Sequence, residues 1–418
     1  MSNGIVELFL LPFVVVESVT LAVCVLSDRL FDAHWFGFLL CPWIAVGAAA
    51  WGALNASECA PAAFLGALHL LVGVPLLDAV LGKPTRAARE RAAVSKAVRV
   101  SALGLAVFEW TLLIHTCVWA DLASFWSCTG LVLSLGIVNG GVGVSSSHEL
   151  FHSRGAPLAH ALAFVLLTAS AYAPFYFMHR HHHINVATPL DGATARKGEP
   201  FVWFFQRSAL GGLRDSWRHE QRVRRGAVNR VAVALVLPVA LTVFVLAAAT
   251  WCATDFESAS AFATALSRAT QCFLAQAVVG ILTVEMGNYL QHYGMVRGRS
   301  QLDPARFERV QAHHSWDCDL IAFNFSVSGV AQHSHHHVEP GLPLGSLRPQ
   351  AAPSLPHDYF ALYWMVAWTP FRLVAILDAR LDAFKQLELV GDVGDGKLAD
   401  RIDYVGQETD LDMVEGIL

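Results

Sequence analysis

Long stretches that almost lack charged residues are the feature of this sequence that most restricts its fold. A transmembrane helix needs about 20 mostly apolar residues, and seven stretches meet that requirement. These stretches are Ile5–Leu26, His34–Leu54, Ala60–Leu81, Arg99–Ala120, Phe125–Ser147, Val231–Thr254 and Ala259–Val284. Charged residues make up only 15% of the chain, against about 25% in a soluble domain. The sequence therefore predicts an all-α integral membrane protein, a bundle of six or seven transmembrane helices.

The segments between these stretches predict a cap on one side of the bundle. Basic residues cluster within 83–99, 207–230 and 297–309, and such clusters face the cytoplasm. Each pair of neighbouring spans returns the chain to the side that it left. The histidine-rich segments 148–230 and 286–356 then share the cytoplasmic face, provided that Ala156–Met178 does not cross the membrane. Because Pro174 can break a helix there, we predict a buried or re-entrant helix within a cytoplasmic, histidine-rich cap.

The histidines are grouped in a way that indicates metal binding. Of 19 histidines, 15 lie between His148 and His337. Residues three or four apart share one face of a helix, and three groups have that spacing: 148 and 152; 179, 182 and 183; 333, 336 and 337. His292 stands alone after the last predicted span. Imidazole is a good ligand for iron, zinc and copper, whereas isolated histidines such as His34 are interpreted as hydrogen-bonded core residues.

Three other types of site are weighed against this interpretation. The eight cysteines contain no C-x-x-C pair, so neither a thiolate metal site nor a fused rubredoxin is indicated. His148-Glu-Leu-Phe-His152 is also the H-E-x-x-H signature of zinc proteases, with Glu149 as general base and Asp191 as a third ligand, but this reading leaves the other clusters unexplained. A carboxylate di-iron site needs two Glu-x-x-His motifs, and only Glu149-Leu-Phe-His152 occurs.

At these residues the sequence resembles the alkane 1-monooxygenases, a branch of the membrane fatty acid desaturase and hydroxylase superfamily. Leu133-Ser-Leu-Gly-Ile-Val-Asn-Gly140 with His148-Glu-Leu-x-His152 is similar to the first box, and His182-His-x-x-Val-Ala-Thr-Pro-x-Asp191 to the second. Asn288-Tyr-x-x-His-Tyr-Gly294 is similar to the motif that separates this branch from desaturases. His313-His-Ser-Trp316, Gln332-His-Ser-x-His-His337 and Gly345-Ser-Leu-Arg348 resemble the third region. The likeness covers roughly residues 70–385.

The resemblance implies a membrane di-iron hydroxylase that uses O2 to convert medium-chain or long-chain alkanes, or a similar apolar chain, to primary alcohols. It implies two non-haem irons, and electrons from a separate rubredoxin and its reductase. We expect the enzyme in the inner membrane of a bacterium or the endoplasmic reticulum of a eukaryote, with no nucleic-acid partner. Position by position, the implied metal ligands are His148, His152, His182, His183, His292, His333, His336 and His337, with a ninth in the second box.

One of these nine ligands departs from the family's second box. With His182 and His183 fixed, that box places its first histidine on Met178 and a glutamate on Phe177. A thioether is a poor ligand for an oxidising iron site, so His179 or His181 must replace it. We favour His179, and because each helical residue turns the side chain by about 100°, we expect a local shift or unwinding of the backbone there.

The sequence also predicts how the chain is divided. Residues 1–60 are expected to form an N-terminal membrane segment, 61–385 the hydroxylase domain and 386–418 an acidic tail.

The second functional hypothesis is a fatty acyl desaturase or hydroxylase of the same superfamily, for which the altered second box is the argument. An intramembrane zinc protease is the more remote alternative.

Overall fold

The computed structural model describes residues 5–30, 33–84, 91–120, 122, 124–153, 156–225, 228–254 and 258–389. Within these residues the protein is helical, and its extended contacts are two isolated β-bridges. The helices are α1 (Val6–Leu30), α2 (His34–Asn55), α3 (Ala60–Leu81), α4 (Arg91–Val118), α5 (Phe125–His152), α6 (Pro157–Ala169), α7 (Phe175–Asn185), α8 (201–223), α9 (Arg230–Ala253), α10 (Ala259–His292), α11 (Ile321–Ser326), α12 (His333–Val338), α13 (Tyr359–Trp368) and α14 (Pro370–Leu389).

Seven of these helices are long and apolar enough to cross a membrane. Each coincides with one of the stretches predicted from sequence, which confirms an integral membrane bundle. Helix α5 continues past its predicted end to His152, and α10 continues past its predicted end to His292. Helix α10 ends where Gly294 adopts a φ of 69°, a backbone conformation that glycine accepts readily and that commonly terminates helices. The extensions place three histidines on the last turns of long apolar helices.

The segment Ala156–Met178 contains two helices, which meet next to the break that Ala173-Pro174 offers in the sequence. Helix α6 ends at Ala169, Ala171 has a φ of 51°, and α7 begins directly after Pro174. Helix α6 has 13 residues, which gives a length of about 20 Å, too short to cross a hydrocarbon core of about 30 Å. The chain therefore stays on one side of the bundle between α5 and α7.

The glycines of Gly140-Gly-Val-Gly143 each make room for a different neighbour. A Cβ atom at position 140 would lie 2.5 Å from the carbonyl oxygen of Gly280, and one at position 143 would lie 2.5 Å from Oε2 of Glu109. Gly141 instead faces the ring of Phe360, 3.3 Å from its Cζ. These glycines lie on one π-helical turn at 139–143, so they allow close packing of neighbouring helices at two positions and face the Phe360 ring at a third.

The aromatic and amphipathic stretch Tyr359–Leu377 predicts an interfacial helix, and in the structure its first part, α13, packs against two of the spans. The Tyr363 hydroxyl donates to the carbonyl of Thr283 on α10 at 3.0 Å, and Trp364 Nε1 donates to the carbonyl of Leu71 on α3 at 2.9 Å. The predicted helix is also interrupted at Thr369, before Pro370. Because α13 contains no charged residue, its burial among apolar helices leaves no charge unpaired.

Candidate metal centre

Four helices carry the nine histidines that the sequence singles out, and the fold brings their rings together. They extend from the end of α5, from α7, from the end of α10 and from α12. The nine form two groups in which each ring offers a nitrogen within 4.8 Å of the others. The first group is His148, His152, His179, His183 and His336, and the second is His182, His292, His333 and His337.

The first group, called here the five-histidine group, is built around His179. Its Nε2 atom lies 2.9 Å from Nε2 of His148 and 2.7 Å from Nε2 of His183. The Nε2 atom of His336 lies 3.1 Å from that of His183. The buried Nε2 of His152 has no hydrogen-bond partner among the described residues. The ring nitrogens therefore converge on one another rather than on backbone groups.

The second group, called here the four-histidine group, has the same character. The Nε2 atom of His337 lies 3.2 Å from that of His182 and 2.9 Å from that of His333, which is 3.0 Å from that of His292. All four side chains are buried. The two groups adjoin, since the ring centroids of His183 and His337 are 4.4 Å apart.

These contacts fit metal ions better than they fit hydrogen bonds. A neutral imidazole has one N–H donor and one acceptor nitrogen, so a nitrogen that faces two other acceptors cannot satisfy both. A cation placed between them satisfies all of the lone pairs. Ligand nitrogens about 2.1 Å from a shared ion and at right angles would be roughly 3 Å apart, as these are. Neither group contains a carboxylate or a thiolate, so the donor set is imidazole alone.

Burial keeps the histidines outside the spans in the neutral form that binds metals. Burial, reinforced by neighbouring histidines, lowers the pKa of His179, His183, His336 and His337 well below its ordinary value. Burial followed by the effect of His182 lowers the pKa of His333 to about 3. At neutral pH these rings are therefore neutral, and each has one nitrogen lone pair to offer a metal ion.

Asp191 orients one of the rings, a role that the sequence did not predict. Its Oδ2 accepts a hydrogen bond from Nδ1 of His182 at 2.8 Å and another from the Thr194 hydroxyl at 2.5 Å. Burial alone would raise the pKa of Asp191, but His182, Thr194 and the Ala193 N–H hold that pKa below its ordinary value. The carboxylate thus fixes the proton of His182 on Nδ1 and leaves Nε2 free for a ligand bond.

The alternative residues of the second box point away from both groups. Helix α7 is continuous over Phe175–Asn185, so the expected local unwinding at His179 does not occur. The Met178 side chain packs against α8, with Cε 3.0 Å from where a Cβ of Gly212 would lie. The ring of His181 faces that of His219, with centroids 6.1 Å apart, and Nε2 of His181 lies 3.2 Å from Nδ2 of Asn185.

The zinc-protease geometry is incomplete. Glu149 accepts hydrogen bonds from Nε of Arg99 at 3.1 Å and from the Leu344 N–H at 2.8 Å, so its carboxylate is engaged away from the histidines. Asp191 bonds His182, which belongs to the other group from His148 and His152.

A third, smaller group at Glu308, His313 and His314 is also a poor metal site. The Gln311 N–H donates to Nδ1 of His314 at 3.0 Å. In neutral His314 the ring proton must then sit on Nε2, the atom that faces Glu308 at 3.4 Å. That nitrogen has no lone pair to offer a metal ion.

A narrow cavity joins the two histidine groups to the interior of the bundle. His148, His179 and His333 line one end, and Gly141, Phe360 and Tyr363 are among the residues that line the rest. Most of its surface is apolar. The cavity therefore connects the histidines with an apolar region among the spans.

Sequence comparisons agree with this architecture. A sequence profile of the fatty acid desaturase family matches residues 123–368, which is more than half of the chain. The chain belongs to the fatty acid desaturase family. It is similar to alkane 1-monooxygenase 2 of Pseudomonas aeruginosa, with 28% identity over 74% of this chain and 82% of the relative. It is also similar to the alkane 1-monooxygenase of Pseudomonas putida, with 30% identity over 74% of this chain and 75% of the relative.

A more distant relative is the hydroxylase component of xylene/toluene monooxygenase from Pseudomonas putida. It is 26% identical over 54% of this chain and 58% of the relative. These relatives are monooxygenases by name, so the chain is an oxygenase, an oxidoreductase of this family. The resemblance to alkane 1-monooxygenases that the sequence motifs suggest is confirmed.

The position of His179 at the centre of the five-histidine group generates the first prediction. Replacing His179 by alanine should lower the iron content of the purified protein and abolish oxygenase activity, because two neighbouring rings lose their shared partner. His181→Ala serves as the matched control and should keep its iron and substantial activity. Iron is measured by elemental analysis, and circular dichroism verifies folding. Full iron and turnover in His179→Ala would remove His179 from the proposed ligand set.

The hydrogen bond between Asp191 and His182 generates the second prediction. Asp191→Asn should weaken metal affinity about 10-fold to 100-fold, the usual effect of removing such a partner, because an amide stabilises the ligating tautomer less than a carboxylate. Affinity is measured by competition with a chelator. Thr194→Val, which removes only a hydrogen bond to Asp191, should have a smaller effect. Unchanged affinity in Asp191→Asn would show that the carboxylate does not support the site.

Proposed function

We propose that the protein hydroxylates the terminal carbon of medium-chain or long-chain alkanes, or of a similar apolar chain, to give the primary alcohol. The observation that carries this proposal is the double imidazole site at the end of an apolar cavity within the bundle. The nine histidines are the proposed ligands of two non-haem irons. The names of the similar relatives support the substrate class.

The chemistry of an alkane explains why such a site is needed. A terminal C–H bond offers no group to an acid, a base or a nucleophile, so the oxidising power must come from a cofactor. When bound, two irons would supply the O2 chemistry that breaks this bond. The balanced reaction places one oxygen atom of O2 in the alcohol and the other in water, and it consumes two electrons and two protons. The protein must therefore provide a substrate path and an electron path.

The cavity provides the substrate path. Gly141 leaves open space where a larger side chain would meet Phe360, which is buried at 1% exposure. Phe360 packs edge-on against Phe323, with ring centroids 5.2 Å apart. This rigid aromatic wall would align an extended chain with one end towards His148 and His333. The apolar lining also keeps water away from the reacting carbon.

A separate opening suits the electron path. His152 and His183 are only partly buried, and both line a surface pocket with Arg180, Ile184 and Pro340. We propose that electrons enter here from a separate rubredoxin, which is reduced by its own reductase. A cation at the rim would steer an acidic carrier towards this opening. The opening and the substrate cavity reach the histidines from different directions.

We place this site on the cytoplasmic side of the membrane. The basic clusters at 207–230 and 297–309 belong to the same connecting segments as the histidines, and positively charged loops are retained in the cytoplasm. The membrane is the inner membrane if the protein is bacterial and the endoplasmic reticulum if it is eukaryotic.

An acyl chain is the second candidate substrate. The matched family is named for fatty acid desaturases, and Met178 stands where the alkane branch has a histidine. A fatty acyl substrate would have to keep its charged or polar head group outside the apolar cavity. The uncharged alkane is therefore the better fit.

Product analysis tests the proposed function. The purified membrane protein, supplied with rubredoxin, its reductase and O2, should convert octane or hexadecane to the primary alcohol, with no conversion by His333→Ala. A matched reaction with a fatty acyl substrate distinguishes the two candidates. The primary alcohol of the alkane supports the proposal, whereas a desaturated or hydroxylated acyl product alone would overturn it.

A further inference from the structure

A long groove on the outside of the bundle lies apart from the histidine cavity. It runs between α4, α6 and α9, with α7 as its inner wall, and it encloses about 870 Å³, within the usual range for small-molecule sites. Its lining is apolar apart from Thr168, the Tyr176 hydroxyl and two arginines.

The length of the groove matches a lipid chain. Along α9 it extends from Arg230 to Val245, which is about 22 Å at 1.5 Å per residue. One leaflet contributes about half of the 30 Å hydrocarbon core, so the groove is deep enough for a full acyl chain. Leu237 and Leu241 line it and are half exposed at the surface of the bundle, so the groove opens sideways to the bilayer.

The charge of the groove is confined to one end. Arg224 is exposed there, and the neighbouring Arg230 donates to both carboxylate oxygens of Glu220, at 2.5 and 3.0 Å. Since one carboxylate offsets only one of the two guanidinium groups, the end retains positive charge. An alkane gains nothing from this charge. A ligand with an apolar chain and an anionic head satisfies both parts of the groove, and arginine pairs well with phosphate oxygens.

The inner wall connects the groove to the histidines. Phe177 and Tyr176 belong to α7, the helix that carries His179, His182 and His183. The guanidinium of Arg230 lies over the Phe177 ring, 5.6 Å from its centroid. The Tyr176 ring packs edge-on against Phe151, with centroids 5.6 Å apart. A chain seated in the groove would therefore contact α7 at Tyr176, on the same helical face as His179 and His183, and at Phe177, which points away from His179.

We propose that this groove binds one anionic phospholipid, with an acyl chain along α9 and its phosphate at Arg224 and Arg230, and that the lipid braces α7. The inference does not depend on which substrate the histidine site oxidises. It predicts a lipid of defined headgroup charge at a defined position, rather than a general lipid layer.

Native mass spectrometry of the metal-loaded protein tests this proposal. The protein, purified in mild detergent, is exposed to equal amounts of phosphatidylglycerol and phosphatidylcholine. One phosphatidylglycerol per chain should be retained in preference. Leu237→Trp, which fills the groove, should lower retention roughly tenfold. Arg224→Gln, which removes the charge, should also lower retention roughly tenfold, as expected for the loss of one charge-assisted contact. The thermal midpoint of the wild type should rise with phosphatidylglycerol.

The chain offers a matched control for each variant. Val236→Trp adds the same ring to α9 at an adjacent exposed position outside the groove, and Arg222→Gln removes the same charge from α8. Both controls should retain the lipid. Equal retention of the two lipids, equal loss in the controls, or displacement by hexadecane would overturn the proposal. Disulfide crosslinking of two chains through Leu237→Cys would overturn it too, by identifying a second copy as the occupant.

Discussion

The structure depends on the convergence of nine imidazole rings whose lone pairs face one another. Buried polar atoms need partners, and nitrogens such as Nε2 of His179 and Nε2 of His337 each face two other ring nitrogens. The hydrogen-bonding capacity of imidazole cannot meet that demand, but cations can. The donor set therefore fits two metal ions, one in each histidine group, and the folded cap is organised around these groups.

The rest of the fold delivers these rings to one place. Helices α5 and α10 continue beyond the apolar part of their spans, so His148 and His292 lie at the edge of the bundle. The break at Ala171 and Pro174 turns α7 back towards α5. Directly beneath the rings, glycines of α5 either pack against α10 or leave space beside Phe360. The proposed metal ligands and the proposed substrate path thus share the same helix.

The sequence predicted the parts of this arrangement that depend on composition and local spacing. The seven spans follow from hydropathy, and the grouping of the nine histidines follows from helical periodicity and the family motifs. The role of Asp191 depends on a turn that returns it to His182, nine residues earlier, and no local pattern indicates that contact. The insertion of α13 likewise depends on the space left between α3 and α10. The orientation of His179 required the helical phase of α7, in which His179, His182 and His183 share a face while Met178 and His181 do not.

Metal analysis of the purified protein is the decisive test of whether the two histidine groups hold two irons. If the five-histidine and four-histidine groups each hold an ion and the protein is a di-iron oxygenase, protein from iron-supplied cells should contain close to two irons per chain, with zinc minor. One zinc and no iron would contradict the account and would favour the H-E-x-x-H protease instead.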